Sequence, residues 1–231
     1  MKTPPFTVCI PAAGSGRRMN LDVPKQYFEI AGKPVLIHTI TVFDAIRECR
    51  RVIVATDDRS RLENVLARFP MCKPVSIVPG GASRQESVAN MLAECADEDE
   101  IVLIHDAVRP CIEAAQVMEV VRKVSEHGTA ILAIPAGDTI KQVAGAKVTA
   151  TLDRSAVWLA QTPQGARCGL FRRAFLRAAA DGITQTDDAS LLERIGIEVC
   201  VVPGSSTNLK ITTGQDLLVA ETILLRHMKS P

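Results

Sequence analysis

The sequence has no excess of charge of either sign. Its 27 lysines and arginines almost balance its 26 aspartates and glutamates, which gives a formal net charge of +1, and the basic residues are dispersed along the chain. Proteins that bind nucleic acid or an anionic membrane usually carry a basic stripe or cluster. The sequence therefore disfavours both classes of protein, and its cations are expected to act locally.

Long apolar runs and clustered metal-binding cysteines are absent as well. No apolar run approaches the roughly 20 residues that a membrane-spanning helix needs. The seven cysteines are far apart, and no C-x-x-C or paired Cys/His spacing typical of zinc occurs. We therefore expect a soluble protein of the cytoplasm whose cysteines are reduced.

Familiar catalytic and phosphate-binding motifs are also missing. None of the four histidines has a serine or cysteine at the spacing of a nucleophile elbow, so no pattern calls for a covalent intermediate. There is no G-x-x-x-x-G-K-[ST], and Gly14 and Gly16 lack the third glycine of a dinucleotide fingerprint. The acidic ribose-binding residue that should follow by roughly 20 positions is missing too. A nicotinamide-dependent oxidoreductase is therefore disfavoured.

The strongest feature that is present is a segment of small residues directly after an apolar strand. Such residues let the main chain approach a ligand, and consecutive N–H groups of the loop can converge on anionic oxygens. Arg17, Arg18 and Lys25 add full positive charges. An ordinary strand-to-helix turn with solvated arginines is the alternative, but the added cations favour a polyphosphate-binding loop. The small residues of this predicted loop are Ala12, Ala13, Gly14 and Gly16.

Strand-like apolar runs alternate along the chain with segments of helical periodicity, which is typical of parallel βαβ units. The predicted strands are 6–10, 51–55, 75–78, 101–105 and 130–134, with a further strand at 198–202. The clearest predicted helices are 35–48, 170–181 and 188–195. A capping box at Ser83 opens another helix that runs through Leu92, and Thr213 is the predicted N-cap of a final helix.

Two short strands, 139–143 and 147–151, interrupt this alternation and predict a β-hairpin. Because a two-stranded hairpin is marginally stable alone, we expect it to pack on something, and exchange with a second subunit is one possibility. We see no linker or repeat. Residues 1–231 are therefore treated as one domain with a β-arm at about 137–156.

Asp106 is placed where a carboxylate would emerge from a buried strand. It directly follows the apolar run 101–105, and ligands of open α/β sheets bind beyond the carboxyl ends of the strands. Carboxylates that meet phosphates usually do so through Mg²⁺. A helix N-cap and an ion-pair partner for Arg109 are the alternatives, and the glycine loop favours the metal.

In order, and over almost the whole chain, these motifs resemble those of the 2-C-methyl-D-erythritol 4-phosphate cytidylyltransferases of non-mevalonate isoprenoid synthesis. The matching segments are Pro11-Ala12-Ala13-Gly14-x-Gly16-x-Arg18-Met19, Pro24-Lys25-Gln26-Tyr27, Gly80-Gly81-x-x-Arg84-x-x-Ser87-Val88, His105-Asp106-Ala107-x-Arg109-Pro110, Pro135-x-x-Asp138-Thr139-x-Lys141, Asp153-Arg154, Thr162-Pro163-Gln164, Thr186-Asp187-x-Ala189-Ser190 and Asn208-x-Lys210-x-Thr212.

The resemblance implies a Rossmann-like α/β fold of the nucleotide-diphospho-sugar transferase type. Its sheet would be mostly parallel and twisted, flanked by helices, with a protruding β-arm. The implied activity is the Mg²⁺-dependent transfer of CMP from CTP to a sugar-alcohol phosphate with release of pyrophosphate. The implied partners are these two substrates and a second copy of the chain, joined through the arm, and neither nucleic acid nor a membrane.

The resemblance also assigns roles to the matching positions. The catalytic residues would be Arg18, Lys25 and Lys210. The nucleotide-binding residues would be Ala12, Ala13, Gly14, Gly16, Gly81, Ser87 and Asp106, and Asp106 would also bind Mg²⁺. The acceptor-binding residues would be Asp106, Arg109, Thr162 and Thr186, together with Thr139 and Arg154 from the arm of the partner subunit.

Two alternatives remain open at this point. Ribitol 5-phosphate cytidylyltransferases share the triphosphate loop, so the choice of acceptor rests on subtler residues. A non-catalytic nucleotide-binding or regulatory protein is the other alternative. The accumulation of lysines with Asp106 at the expected site argues against it.

Overall fold

The computed structural model describes residues 3–14 and 23–229, with side chains described as far as residue 226. Within these residues no helix is both long and apolar enough to span a membrane. The strands are β1 (Phe6–Pro11), β2 (Glu29–Ile30), β3 (Lys33–Pro34), β4 (Cys49–Thr56), β5 (Val75–Pro79), β6 (Ile101–Ile104), β7 (Thr129–Pro135), β8 (Lys141–Ala144), β9 (Lys147–Thr151), β10 (Trp158–Arg167) and β11 (Cys200–Pro203).

The helices alternate with these strands. They are α1 (Val35–Ala45), α2 (Arg59–Arg68), α3 (Arg84–Ala93), α4 (Ala114–His127), α5 (Cys168–Ala180), α6 (Ala189–Arg194) and α7 (Gly214–Lys229), with short 3₁₀ helices at Lys25–Tyr27 and Arg154–Ala156.

Seven strands form one sheet in the order β11-β7-β10-β6-β1-β4-β5. The pairs β1–β4, β1–β6, β4–β5 and β7–β11 are parallel, and only β10 among the described strands of this sheet runs antiparallel to both neighbours. The predicted mostly parallel sheet flanked by helices is confirmed. Because the parallel strands end at one edge, the loops that follow β1, β5 and β6 meet there.

Both faces of this sheet are covered by helices, which explains why β1 is apolar except at Thr7. Val8 and Ile10 pack with α1, α2 and α4 on one face, whereas Cys9 packs with α3, α5 and α6 on the other. All seven cysteines are free, and five are buried. The loop after β1 therefore starts from the interior of the sheet, between the loops after β4 and β6.

Two predicted helix starts are confirmed by their caps. Ser83 Oγ accepts from the N–H of Glu86 at 3.1 Å, and the Glu86 carboxylate accepts from the N–H of Ala82 at 3.0 Å. At α7, Thr213 Oγ1 accepts from the N–H of Asp216 at 3.3 Å, and Asp216 Oδ2 accepts from the N–H of Thr213 at 2.7 Å. These bonds satisfy N–H groups that a helix start otherwise leaves unpaired.

Strand β10 is absent from the sequence prediction. Its ten residues pass between β6 and β7, although Pro163 disfavours a central strand because it has no N–H for the ladder. The register between β10 and β7 is interrupted between Ala160 and Gln164, and the Thr162–Pro163 peptide there is cis. Pro163 thus lies where the ladder requires no N–H from it.

Gly165 lets helix α4 approach β10 closely. A Cβ at this position would lie 2.6 Å from Leu103 Cδ2 and 2.8 Å from Val124 Cγ2. Contacts that short require a neighbour to shift, so a larger side chain would push α4 away from the sheet. The glycine keeps β10 in place directly after the site residues Thr162 and Gln164.

The predicted hairpin is present as a separate two-stranded antiparallel sheet of β8 and β9. Its first strand begins at Lys141 rather than at the predicted Thr139. The turn residues Gly145 and Ala146 both have positive φ, as two-residue hairpin turns require. Val143 and Val148 are 57% and 61% exposed, so this hairpin presents apolar side chains to its surroundings.

Candidate functional site

Polar side chains from distant parts of the chain meet at the carboxyl edge of the sheet. Asp106 lies two residues beyond the end of β6, and the loop of Ala12 and Gly14 follows β1. The segment 208–212 is fastened alongside, because the N–H of Ile211 donates to Val108 O at 2.9 Å. This backbone bond places Lys210 beside the end of β6, about one hundred residues away in sequence.

The Asp106 carboxylate is enclosed by three cations. Its Oδ2 lies 2.9 Å from Lys210 Nζ and 3.3 Å from Arg109 Nε, and its Oδ1 lies 3.4 Å from Arg84 Nε. The Asp106 side chain is only 8% exposed. No helix begins at Asp106, so the N-cap alternative is wrong, while the ion pair with Arg109 is present.

Burial and the three cations act in opposite directions on the pKa of Asp106. Burial alone would raise it, but Arg84, Lys210 and Arg109 together hold the pKa well below its ordinary value. Burial likewise opposes the charge of Arg84, yet the carboxylates of Asp188 and Asp106 raise its pKa. Asp106 is therefore a carboxylate at every physiological pH.

Thr162 joins β10 to this cluster. Its Oγ1 accepts from the N–H of Asp106 at 3.0 Å and lies 3.2 Å from Nδ1 of His105. The side-chain amide of Asn208 donates to Thr162 O at 2.9 Å, and Arg109 Nη1 donates to Asn208 O at 2.7 Å. Three segments are thereby locked together behind the Asp106 carboxylate.

Lys25 and Gln26 tie the glycine loop to the segment of Lys210. Lys25 Nζ donates to Ile211 O at 3.0 Å, across 186 positions of sequence. Gln26 Nε2 donates to Ala12 O at 2.7 Å and to Gly14 O at 3.1 Å. The structure therefore brings the two predicted catalytic lysines to the same edge, whereas the predicted residues Gly16 and Arg18 lie outside the described residues.

A second loop lies against the glycine loop. The N–H of Gly81 donates to Ser87 Oγ at 3.0 Å, which joins the loop after β5 to the first turn of α3. A Cβ at Gly80 would lie 2.3 Å from Ala13 Cβ and 2.4 Å from Asp57 Oδ1. Only glycine permits so close an approach, and it brings the loop of Gly81 and Ser87 against Ala13.

A pocket opens beside Asp106, and most predicted acceptor residues line it. Its polar lining includes Arg84, Asp106, Arg109, Thr162, Thr186 and Lys210. Thr139 and Arg154 are not among its lining residues: both are exposed, and Arg154 donates to Gly137 O at 3.0 Å. The structure thus collects all predicted acceptor residues except the two expected from a partner's arm.

Sequence reasoning assigned no role to three residues that hold this site together. Arg84 and Gln164 stood in the matching motifs, but Asp188 did not. Gln164 Oε1 accepts from the N–H groups of Asp188 and Ala189 at 2.9 and 2.8 Å. The position of Asp188, two residues after the predicted site residue Thr186, is a usable signal, but its partner Arg84 lies 104 positions away, and only the fold reveals the pairing.

Comparison with known proteins identifies the same family that the sequence motifs resemble. A family model described as 2-C-methyl-D-erythritol 4-phosphate cytidylyltransferase matches residues 6–226. Proteins with that name from Acidobacterium capsulatum and Geotalea uraniireducens are 48% and 45% identical, covering 92% and 94% of this chain and 94% and 96% of their own. The crystal structure of the Francisella tularensis protein of that name superposes with a TM-score of 0.82 at 34% identity, covering 95% of this chain and 99% of its own.

Protonation of His105 should oppose folding. Burial lowers the pKa of His105 to about 4 from an ordinary 6.5, so between these values the unfolded chain binds a proton that the folded chain does not. Stability should therefore fall as the pH drops below 6.5, by about 2 kcal/mol at pH 5 from this group. Urea denaturation of wild type and His105→Gln at pH 7 and pH 5 measures the difference. The exposed His127→Gln is the control, and equal losses in all three proteins would contradict the prediction.

Proposed function

The chain belongs to the 2-C-methyl-D-erythritol 4-phosphate cytidylyltransferase family, and from this premise we propose how its residues carry the reaction. As a member, it transfers CMP from CTP to 2-C-methyl-D-erythritol 4-phosphate, giving 4-diphosphocytidyl-2-C-methyl-D-erythritol and pyrophosphate. The names of its relatives do not favour ribitol 5-phosphate as the acceptor. The observation that carries the residue assignment is the cation cluster around Asp106, directly beside the glycine loop.

The reaction requires positioning and charge neutralisation rather than acid–base chemistry. An oxygen of the acceptor phosphate attacks the α-phosphorus of CTP in line, and the bond to pyrophosphate breaks. Negative charge grows on the equatorial oxygens and on the leaving group. Because the attacking phosphate is already an anion near neutral pH, no general base is needed. The uncharged, fully buried His105 agrees with such a mechanism.

Arg109 and Lys210 are the groups that fit the acceptor phosphate. They are already directed at a carboxylate oxygen, and a phosphate offers charge of the same sign and oxygen acceptors of the same kind. The hydroxyl groups of Thr162 and Thr186 line the same pocket. A phosphate in this pocket would have its attacking oxygen held by cations from two separate segments.

The nucleotide side is built from main-chain groups. Ala13 and Gly14 offer loop N–H groups for the triphosphate, whereas the N–H of Ala12 already donates to Ala55 O at 2.8 Å. Lys25 supplies a charge between this loop and Lys210. Gly16 and Arg18 are assigned to the triphosphate by family membership, and both lie outside the described residues. Cytosine is assigned to the loop of Gly81 and Ser87, which lies against Ala13.

Asp106 is the residue that fits Mg²⁺. Among the described residues, no group of three or more histidine, cysteine, aspartate or glutamate side chains could hold a metal. Mg²⁺ nevertheless needs only one or two protein carboxylates when substrate phosphates supply the other ligands, and Asp106 stays ionised as a ligand must. The bound ion would neutralise charge on the triphosphate.

A homodimer joined through the hairpin completes this proposal. The hairpin exposes Val143 and Val148, and Trp158 and Leu159 at its base are 42% and 48% exposed. Apolar groups of this kind are normally covered, and a partner subunit would cover them while delivering Thr139 and Arg154 to the other pocket. The free cysteines further support a reducing, cytoplasmic location.

Pyrophosphate release tests the proposed function directly. CTP with 2-C-methyl-D-erythritol 4-phosphate should release pyrophosphate in the presence of Mg²⁺, and chelation should abolish the release. ATP, GTP and UTP, and ribitol 5-phosphate as acceptor, are the comparison arms. Release that continues after complete metal removal would refute the role of Mg²⁺, and preference for ribitol 5-phosphate would refute the acceptor.

Loss of either lysine should slow the chemical step. Lys210→Ala and Lys25→Ala each remove a preorganised donor from the reacting phosphates, so kcat should fall by roughly two to three orders of magnitude. Steady-state assays at saturating CTP and acceptor measure this change. Lys73→Ala is the matched control, because the ammonium of Lys73 donates to Arg47 O on the protein surface. This variant should keep wild-type kcat. Near-normal kcat in Lys210→Ala would remove its catalytic role.

Arm exchange predicts complementation between two inactive variants. In a dimer of Lys25→Ala with Arg154→Ala, one pocket combines an intact Lys25 with the intact Arg154 of the other subunit, and the second pocket lacks both. Random mixing makes half of the dimers mixed, and half of their sites functional, so about one quarter of wild-type activity should return. Mixtures as inactive as their parents would show that the acceptor pocket does not cross the interface.

A further inference from the structure

A buried ion pair links two halves of the chain next to the proposed site. Arg84, the first residue of α3, donates from Nη1 and Nη2 to the two oxygens of Asp188 at 2.8 and 2.7 Å. The Asp188 side chain is 2% exposed and that of Arg84 is 32% exposed. Two parallel bonds of this kind fix the plane of the guanidinium group as well as its position.

The remaining edge of the same guanidinium faces Asp106. Arg84 Nε lies 3.4 Å from Asp106 Oδ1, while Lys210 and Arg109 lie nearer to Oδ2. The two oxygens of Asp106 are thus divided between different cations. Because Asp188 holds the fork of Arg84, the direction of its Nε is set by Asp188 rather than by Asp106.

The first turn of α3 also fastens the segment that carries Thr186. Gln85 Nε2 donates to Ile183 O at 3.1 Å, and Gln85 Oε1 accepts from the N–H of Gln185 at 3.3 Å. The same turn of α3 contains Ser87, on the proposed cytosine side. Arg84 and its neighbours therefore lie between the two proposed substrates.

A contribution to the stability of the fold does not by itself explain the ion pair of Arg84 and Asp188. Removing two charges from water costs free energy that their attraction only partly returns, and apolar residues of similar volume often pack as well or better. An arginine is nevertheless suited to a place where one planar group must face two carboxylates. The geometry thus points to a role in the site rather than in the core.

We infer that Arg84, oriented by Asp188, is a positioning residue for the acceptor phosphate, an inference that rests on the proposed function. By engaging Oδ1 of Asp106, Arg84 keeps this carboxylate from turning fully towards Arg109 and Lys210. Those two cations then share only Oδ2 of Asp106 and keep their remaining N–H donors for the acceptor phosphate. Without Arg84, Asp106 competes with the phosphate for the same donors.

Of the two decisive variants, one keeps both charges of the Arg84–Asp188 pair and the other removes both. Arg84→Lys leaves Asp188 with a cationic partner but cannot direct a planar fork at two carboxylates. Arg84→Met/Asp188→Leu removes both charges, so no buried charge is left unpaired and the fold should be retained. In both variants we expect the KM for the acceptor to rise about tenfold or more, while the dissociation constant for CTP changes less than about threefold.

An ion pair at the opposite edge of the sheet is the matched control. Arg51 and Glu100 lie 3.5 Å apart with side chains 28% and 17% exposed, close to the burial of Arg84. Arg51→Met/Glu100→Leu should leave the KM for the acceptor unchanged, whatever it does to thermal stability. A purely structural role of Arg84 predicts the opposite result, in which acceptor KM follows the thermal stability of each variant.

Steady-state kinetics with varied acceptor, CTP titration calorimetry and thermal unfolding, applied to all four proteins, separate the possible outcomes. A raised acceptor KM in a stably folded double variant supports the inference. Wild-type acceptor KM in either Arg84 variant overturns it while leaving the proposed function intact. Absence of pyrophosphate release by the wild-type protein would instead overturn the proposed function, and the inference with it.

Discussion

The carboxylate of Asp106 is the charge around which the functional edge of this protein is arranged. A carboxylate that is 8% exposed would be costly to ionise alone, and Arg84, Arg109 and Lys210 make its ionised form the stable one. Each cation comes from a different segment of the chain. The site therefore exists only when the sheet, α3 and the segment 208–212 are assembled together.

The same arrangement explains how one cluster can serve both folding and chemistry. The cations that neutralise Asp106 are already directed at its oxygens, and Arg109 is also held by the Asn208 carbonyl. An incoming phosphate meets donors that need little reorganisation, which is the condition for effective electrostatic catalysis. Lys25, held at the Ile211 carbonyl, extends this positive surface towards the glycine loop.

Much of the scaffold was predictable because it depends on local patterns. Apolar runs identified the parallel strands, small residues marked the loop after β1, and side-chain oxygens at Ser83 and Thr213 marked two helix starts. Strand β10 was missed because Pro163 argues against a central strand, and the irregular pairing that accommodates it depends on the neighbouring strand. Strands β8 and β11 each begin about two residues later than predicted, because the neighbouring strand decides which residues are paired.

The sequence by itself determined the class of fold and the residue types available for phosphate chemistry, because periodicity and small-residue loops act over a few neighbouring positions. Only the tertiary structure decided which of these residues meet. Lys25 reaches the segment of Lys210, and Arg84 reaches Asp188 and Asp106, across separations of 22 to 186 positions. Such contacts arise from the crossover topology of the sheet, and a charge in one loop or helix carries no local mark of its partner in another.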